Sequence, residues 1–193
     1  SAGFDPTHLE RAILKDAENR MRKSVETYRQ DLVKIRTGKA SISLLDGIKV
    51  EYYGTQVPLN QVASLSTPEP RLIVIQPWEK NLIPKIEKEV FKSDLGMNPV
   101  SDGTFIRLAV PLLTEERRKD LVKQIRKQAE DARIAVRNVR RDANEQLKKE
   151  EKAGAISEDD LKKLQTKTQE LTDKYIQNIE DILKKKESEI MEV

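Results

Sequence analysis

The chain has 193 residues, of which 36% are charged and only 4% aromatic, a composition that favours long amphipathic helices over a thick globular core. The net charge of +3 is too small for a protein that coats nucleic acid indiscriminately. The absence of cysteine excludes disulfides, thiolate metal sites and a cysteine nucleophile. Since the sequence shows neither an apolar run of about 18 residues nor an apolar leader, we expect a soluble, unexported protein.

A first helix of roughly 30 residues is predicted near the N-terminus. Asp5 with Pro6 is suited to start it, and Thr7 with Glu10 forms an alternative capping box. Gly38 marks its expected end. Apolar residues recur between these points at steps of three and four: Leu9, Ile13, Ala17, Met21, Val25, Tyr28, Leu32 and Ile35.

The chain changes character over residues 40–111, which hold seven of the eight prolines. Gly54-Thr55 and Asp102-Gly103 are placed where hairpin turns would be needed. A single helix is expected over 81–93, with Pro84 tolerable only in its first turn. Its apolar positions are Ile83, Ile86, Val90 and Phe91, and strands are predicted over 48–53, 61–65, 72–76 and 104–110.

Residues 113–152 form the predicted central helix, capped by Thr114. Its apolar stripe contains Leu121, Ile125, Ala129, Ala132, Val136, Val139, Ala143 and Leu147. Gly154 ends it, and Ser157 with Asp160 caps a last helix on which Ile156 packs as a staple against Leu161. The tight turn predicts antiparallel packing of these two helices. The last stripe contains Leu161, Leu164, Leu171, Tyr175, Ile179, Ile182 and Ile190.

No helix with one apolar stripe persists alone, so we predict a three-helix bundle carrying an inserted β/α/β domain, an α+β fold. The bundle is expected to comprise residues 1–38 and 113–193, and the insertion residues 39–112. The two connections, 37–39 and 110–112, predict a hinge or a rigid elbow. The hinge residues are Thr37, Gly38, Val110, Pro111 and Leu112.

An enzyme is not supported. His8 has no obvious base or metal partner, and phosphate loops, nucleophile elbows and zinc spacings are absent from the sequence. We therefore predict no catalytic residue, no metal site and no cofactor. Trp78 and one residue of the pair Tyr52-Tyr53 are expected to pack in a core rather than to stack on bases.

Arginines cluster along one flank of the central helix. Their planar guanidinium groups match phosphate with two hydrogen bonds and stack on bases. Ion pairs with acids such as Glu145 or Asp173 are the alternative interpretation, and periodicity does not decide between the two. A long straight bundle suits structured RNA better than one DNA groove. The candidate RNA-binding residues are Arg126, Arg133, Arg137, Arg140 and Arg141.

Seven short motifs follow one another along the chain. They are KIRTGK at 34–39, LDGI at 45–48, VEYYG at 50–54, SDLGMNP at 93–99, LTEERRKDL at 113–121, VRNVRRDA at 136–143 and ISEDD at 156–160. Through these motifs the sequence resembles the bacterial ribosome recycling factor family over essentially the whole chain. Lys39 departs from the family's commoner arginine, which keeps the charge but loses the bidentate fork. The N-terminal residues precede the family's usual start.

The resemblance implies an L-shaped, tRNA-like monomer that binds post-termination ribosomes through large-subunit rRNA. With elongation factor G and GTP, which that factor hydrolyses, it would separate the subunits. Arg133, Arg137, Arg140 and Arg141 fall on or beside the family's arginine motif, and Arg140 matches the position most strongly tied to binding. A bacterial cytoplasmic location, or an organellar one, is implied, without membrane or DNA partners. The competing hypothesis is a helical adaptor or chaperone-like scaffold that binds protein.

Overall fold

The computed structural model describes residues 8–93 and 95–192. The chain divides into two compact units, Ser1–Ile35 with Glu115–Val193, and Arg36–Thr114. Its helices are α1 (His8–Val33), α2 (Ile83–Lys92), α3 (Glu115–Lys152) and α4 (Glu158–Met191). The long helices α1, α3 and α4 pack together in the first unit, and two small sheets with α2 form the second, so the fold is α+β as predicted. Every helix in the described ranges is too short or too polar to span a bilayer.

The predicted stripe of α3 is confirmed at all eight positions, each of which is buried. On α1 the stripe is buried from Ile13 to Leu32, whereas Leu9 is exposed. The helix ends at Val33, so the prediction that Gly38 ends it is wrong. Leu32 is the last fully buried residue of α1, and Val33, with which the helix ends, is exposed. The predicted caps at Asp5, Pro6 and Thr7 lie outside the described residues.

The buried face of α4 differs from the prediction. Leu161, Leu171 and Ile182 are only half-buried, and Thr168 and Thr172 occupy the space between Leu164 and Tyr175. Each threonine hydroxyl donates to the carbonyl four residues earlier, at 2.9 and 2.8 Å. These internal bonds satisfy the hydroxyls without a partner from another helix, which is why threonine is tolerated in this apolar seam.

The turn between α3 and α4 follows its sequence signals. Gly154 has a φ of +79°. Its amide donates to the backbone carbonyl of Glu151 at 3.0 Å, and the amide of Ala155 donates to that of Glu150 at 2.9 Å. This pair of bonds is a Schellman C-cap, which needs a left-handed residue at the glycine position. Ser157 then accepts the amide of Asp160 at 3.0 Å, which confirms the predicted N-cap.

The strands of the second unit are β1 (Lys49–Tyr52), β2 (Thr55–Pro58), β3 (Ala63–Glu69), β4 (Leu72–Pro77), β5 (Pro99–Ser101) and β6 (Ile106–Ala109). The first two form an antiparallel hairpin, and the others form an antiparallel sheet in the order β3-β4-β6-β5. The predicted runs correspond to β1, β3, β4 and β6, whereas β2 and β5 were not predicted. Those two strands bury little of their surface, so no alternating pattern marks them.

The two hairpin turns differ in how well the sequence located them. The β1–β2 turn is centred on Tyr53 and Gly54, one residue before the predicted pair. The β5–β6 turn forms at Asp102 as predicted, with Asp102 Oδ1 accepting the amides of Thr104 and Phe105. These bonds, together with the hydrogen bond from Arg107 at 2.7 Å, hold the pKa of Asp102 well below its usual range.

Two aromatic residues expected in the core are exposed. Trp78 is 67% exposed because it follows β4, where Ile73, Ile75 and Pro77 point inward and the next residue points outward. Phe91 is 73% exposed, since it lies about 100° round α2 from the buried Val90. The expectation of one packed tyrosine is confirmed by Tyr52, which is half-buried and donates to Glu79 at 2.9 Å. In α2, Pro84 lies in the first turn as predicted.

Candidate nucleic-acid interface

Five arginines lie along α3, and we call them the arginine row: Arg126, Arg133, Arg137, Arg140 and Arg141. Arg126, Arg133 and Arg140 are seven residues apart, which returns them to nearly the same side of the helix every two turns. The neighbouring Val136 and Val139 are buried in the bundle. Three of these arginines consequently lie within hydrogen-bonding reach of α4.

Arg126 forms a two-pronged ion pair with α4. Its Nε donates to Glu187 Oε1 at 2.6 Å, and its Nη2 donates to Oε2 at 3.4 Å. The hydrogen bond with Glu187 raises the pKa of the Arg126 guanidinium. The arginine is exposed, so water and salt screen the pair.

The side chain of Arg133 is only 19% exposed, against 64% for Arg126 and 40% for Arg137. Its Nε donates to Glu180 Oε1 of α4 at 2.5 Å, and its Nη1 donates to Glu130 Oε2 at 2.8 Å. The hydrogen bond that Arg133 donates to Glu180 raises the pKa of the arginine and outweighs the opposing effect of burial. Glu130 also approaches Arg137 Nη1 at 3.6 Å, so this acid bridges two arginines. Arg126, Arg133 and Arg137 are thus all neutralised locally.

Arg140 has a neutral partner instead. Its Nη1 donates to Gln169 Oε1 at 3.2 Å, and Gln169 Nε2 donates to Asp173 Oδ1 at 2.9 Å. The Nε of Arg140 is enclosed and has no hydrogen-bond partner in the described part of the chain. Arg141 is exposed. Within residues 8–93 and 95–192 neither of these two arginines forms an ion pair, so the positive charge of the row is uncompensated at this end.

The ion-pair interpretation therefore holds for part of the row, but with other acids than expected. Among the described residues neither Glu145 nor Asp173 pairs with an arginine. Sequence reasoning missed four residues that contact the row: Glu130, Gln169, Glu180 and Glu187. The interval of seven residues between Glu180 and Glu187, matched to Arg126 and Arg133 on an antiparallel neighbour, was the signal that could have found two of them.

The predicted hinge residues all lie in the second unit. Val110 is buried. Its amide donates to the Arg71 carbonyl at 2.9 Å, and its own carbonyl accepts a hydrogen bond from the Arg71 guanidinium at 3.1 Å. Gly38 has a φ of +80°, and a Cβ there would lie 3.4 Å from Leu113 Cγ. The hinge and the predicted domain limits stay predictions. In the described ranges no cluster of three His, Cys, Asp or Glu residues is arranged to hold a metal ion.

Comparisons with known proteins point in one direction. The family model for Ribosome recycling factor matches residues 28–191. The ribosome-recycling factor of Nitratidesulfovibrio vulgaris (strain DP4) is 56% identical over 182 residues, which cover 94% of this chain and 98% of that protein. A solution structure of the ribosome recycling factor matches with a TM-score of 0.76 at 45% identity, covering 97% of this chain and 100% of that one.

A second solved structure contains the T. thermophilus ribosome recycling factor and the E. coli elongation factor G bound to the E. coli post-termination complex. It matches with a TM-score of 0.62 at 43% identity and covers 94% of this chain and 98% of that one. The match of the family model spans the arginine row, and the relatives are more than half identical over most of the sequence. The chain therefore belongs to the ribosome recycling factor family.

Proposed function

We propose that this chain binds post-termination ribosomes through the rRNA of the large subunit and, with elongation factor G and GTP, separates the subunits for reuse. It acts as a monomer and is a translation factor, not an enzyme. The observation that carries the mode of binding is the uncompensated end of the arginine row, at Arg140 and Arg141. Because the proposed function is on the ribosome and the relatives at 51% and 56% identity are bacterial, we place the chain in the bacterial cytoplasm.

The arginine row suits a phosphate backbone for a chemical reason. A guanidinium offers donors in a planar fork that matches two phosphate oxygens, and it keeps its charge at any physiological pH. Lysine at the same positions would act only as a point charge. The row lies on one helix whose apolar residues are packed in the bundle, so little backbone freedom remains to be lost on binding.

The members of the row differ in how readily they can contact RNA. Arg140 and Arg141 have no carboxylate to release in the described part of the chain, and Arg137 has one at 3.6 Å. Arg133 would have to exchange two close glutamates, Glu130 and Glu180, for a phosphate. We expect Arg140 and Arg141 to carry most of the affinity and Arg133 mainly to join α3 to α4.

Replacing Arg140 tests this assignment. Arg140→Ala is expected to weaken binding to purified large ribosomal subunits by about 1–3 kcal/mol, since one charged phosphate contact is lost. Co-sedimentation over a range of salt concentrations measures the affinity, which should fall as salt rises for the unmodified chain. Arg22→Ala, which removes an exposed arginine of α1 paired with Glu18, is the matched control. Unchanged affinity after joint replacement of Arg133, Arg137 and Arg140 would contradict the role of the row.

The activity itself is tested by subunit separation. The purified chain should split post-termination ribosomes only when elongation factor G and GTP are both added. Splitting without that factor, or no splitting with it, would refute the proposed function. Light scattering follows the separation directly.

We also propose that the connections at Thr37, Gly38 and Val110–Leu112 bend during splitting. A disulfide joining one residue of 37–39 to one of 110–112 can be introduced without competing thiols, because the chain has no cysteine. The oxidised protein should bind ribosomes normally but split them more slowly, and reduction should restore the rate. Normal splitting by the oxidised form would mean that the connections act as a rigid spacer.

A further inference from the structure

Charged residues at intervals of seven face each other across α3 and α4. On α3 they are Arg126, Arg133 and Arg140, and on α4 they are Glu187, Glu180 and Asp173. Arg126 pairs with Glu187, and Arg133 pairs with Glu180, so a step of seven up one helix is matched by a step of seven down the other. The same register brings Arg140 opposite Asp173. Two antiparallel helices thus carry a ladder with three potential rungs.

The first two rungs are closed ion pairs, at 2.6 and 2.5 Å, and the third is open. Asp173 is one methylene shorter than the glutamates of the other rungs, and it accepts the side-chain amide of Gln169 at 2.9 Å. Gln169 turns its own oxygen to Arg140 at 3.2 Å. A neutral amide therefore stands between the arginine and the acid that the register assigns to it.

This arrangement leaves the charge of Arg140 available. An amide oxygen orients a guanidinium through one hydrogen bond but, unlike a carboxylate, does not neutralise it. The enclosed Nε of Arg140 has no partner in the described residues, so the group has unused donors. An incoming phosphate would not have to displace a competing anion.

We propose that Gln169 and Asp173 are positioning residues that keep Arg140 out of the ion-pair ladder and so hold it ready for an RNA phosphate. This inference rests on the proposed function, because it takes the ribosomal contact of Arg140 as given. The two residues set which arginine of the row binds RNA. The ladder in turn divides the row into a structural part, Arg126 and Arg133, and a binding part that begins at Arg140.

Closing the third rung tests the proposal. Gln169→Glu puts a carboxylate where the amide oxygen now contacts Arg140, and Asp173→Glu adds the missing methylene. Each change should weaken binding of the full chain to purified large ribosomal subunits by roughly tenfold, close to the loss in Arg140→Ala. The slope of log affinity against log salt should also become shallower by about one phosphate contact. Thermal unfolding should be unchanged or shifted upward, because an ion pair is gained.

The chain offers matched controls on the same helix. Gln177 donates to Asp181 at 3.0 Å with the same spacing, and the register places Asp181 opposite Ala132 instead of an arginine. Gln177→Glu and Asp181→Glu therefore make the same changes in charge and length, and they should leave both the affinity and the salt slope unaltered.

The outcomes distinguish a failure of the positioning role from a failure of the proposed function. Equal affinities for Gln169→Glu and Gln177→Glu, with Arg140→Ala still impaired, would overturn the positioning role and leave the proposed function standing. Full affinity in Arg140→Ala would remove the binding role of Arg140, and the inference would fall with it. A loss of affinity in Gln169→Glu and Asp173→Glu but not in Gln177→Glu and Asp181→Glu, with the fold intact, would establish the positioning role of Gln169 and Asp173.

Discussion

The long helix α3 of the first unit and the inserted sheet unit differ in how well the sequence pattern predicts burial. In α3 all eight residues of the predicted stripe are buried. In the insertion, the large aromatic side chains of Trp78 and Phe91 were expected to be buried, and both are exposed. A helix of 38 residues repeats its pattern over many turns, so one stripe fits all the data. A strand of three to seven residues or a helix of 10 offers too few repeats to fix the orientation of the residues at or just beyond its end.

The largest effect is expected from a buried residue of α3. Ile125 is completely enclosed in the bundle, and Ile125→Ala should lower the free energy of unfolding by about 2–5 kcal/mol through lost burial and a residual cavity. Ile134→Ala on the same helix, where the side chain is 46% exposed, should cost far less. Urea denaturation followed by circular dichroism at 222 nm measures both. Similar losses would show that the stripe does not govern stability.

A second pair of substitutions makes the same comparison in the insertion. Ile86 of α2 is fully buried, and Ile86→Ala should destabilise the second unit by about 2–4 kcal/mol. Phe91→Ala should change its stability little, although phenylalanine is the larger side chain. Hydrogen exchange of β4 and β6 amides reports on this unit separately. A larger loss of stability in Phe91→Ala than in Ile86→Ala would mean that Phe91 is buried, as the sequence predicted.

The distance along the chain between interacting residues explains what the sequence could and could not predict. Local signals located the Ser157 cap, the Gly154 end, the Asp102 turn and Pro84 in the first turn of α2, since each depends on residues within one turn of the chain. The weakly buried strands β2 and β5 depend on their pairing partners, and no local pattern marks them. The threonines of α4 entered the core because their hydroxyls bond within their own helix.

In the candidate site, too, the sequence predicted the local feature but not the contacts between helices. The 3.6-residue period located the arginines on one flank of α3, but it could not say which of them α4 neutralises. Neutralisation depends on the register between the two helices and on the side chain of Gln169. It also depends on side-chain length, because Asp173 has one methylene fewer than Glu180 and Glu187. The pairing of helices is a property of tertiary structure, and a sequence pattern supplies only its candidates.

An intermediate effect is expected at a buried polar group of the bundle. The Tyr28 hydroxyl donates to the carbonyl of Ile125 at 3.1 Å, and Tyr28→Phe should cost about 1 kcal/mol at pH 8. Burial raises the pKa of Tyr28 from 10.0 to about 12. The folded state thus favours the neutral phenol, and this contribution is complete below pH 10 and is lost as the pH rises through about 12.

The advantage of the natural chain over Tyr28→Phe should accordingly shrink between pH 10 and pH 12. Denaturation of both proteins across this range measures the difference, and other titrating groups cancel because the two chains share them. A constant difference would mean that Tyr28 ionises as readily in the folded as in the unfolded protein.

The smallest effect is expected at the tip of the first hairpin, where two terms oppose each other. Tyr53 has a φ of +50° and is 79% exposed, and the left-handed conformation costs a tyrosine about 1 kcal/mol relative to a residue that tolerates it. Its ring lies 4.5 Å from that of Tyr52 at an interplanar angle of 75°, a contact that contributes about 0.5–1.5 kcal/mol. Tyr53→Asn relieves the backbone strain and removes the contact between the two rings.

Asparagine before Gly54 also matches the preferred sequence of a two-residue hairpin in which both central residues have positive φ. We therefore expect the stability of the second unit to change by less than about 0.5 kcal/mol, and hydrogen exchange of the β1 and β2 amides would detect a larger shift. A clear loss of protection would show that the ring pair outweighs the backbone strain, and a clear gain would show the reverse. Either deviation would measure how far a side-chain contact can hold a short hairpin in a conformation that its own residue disfavours.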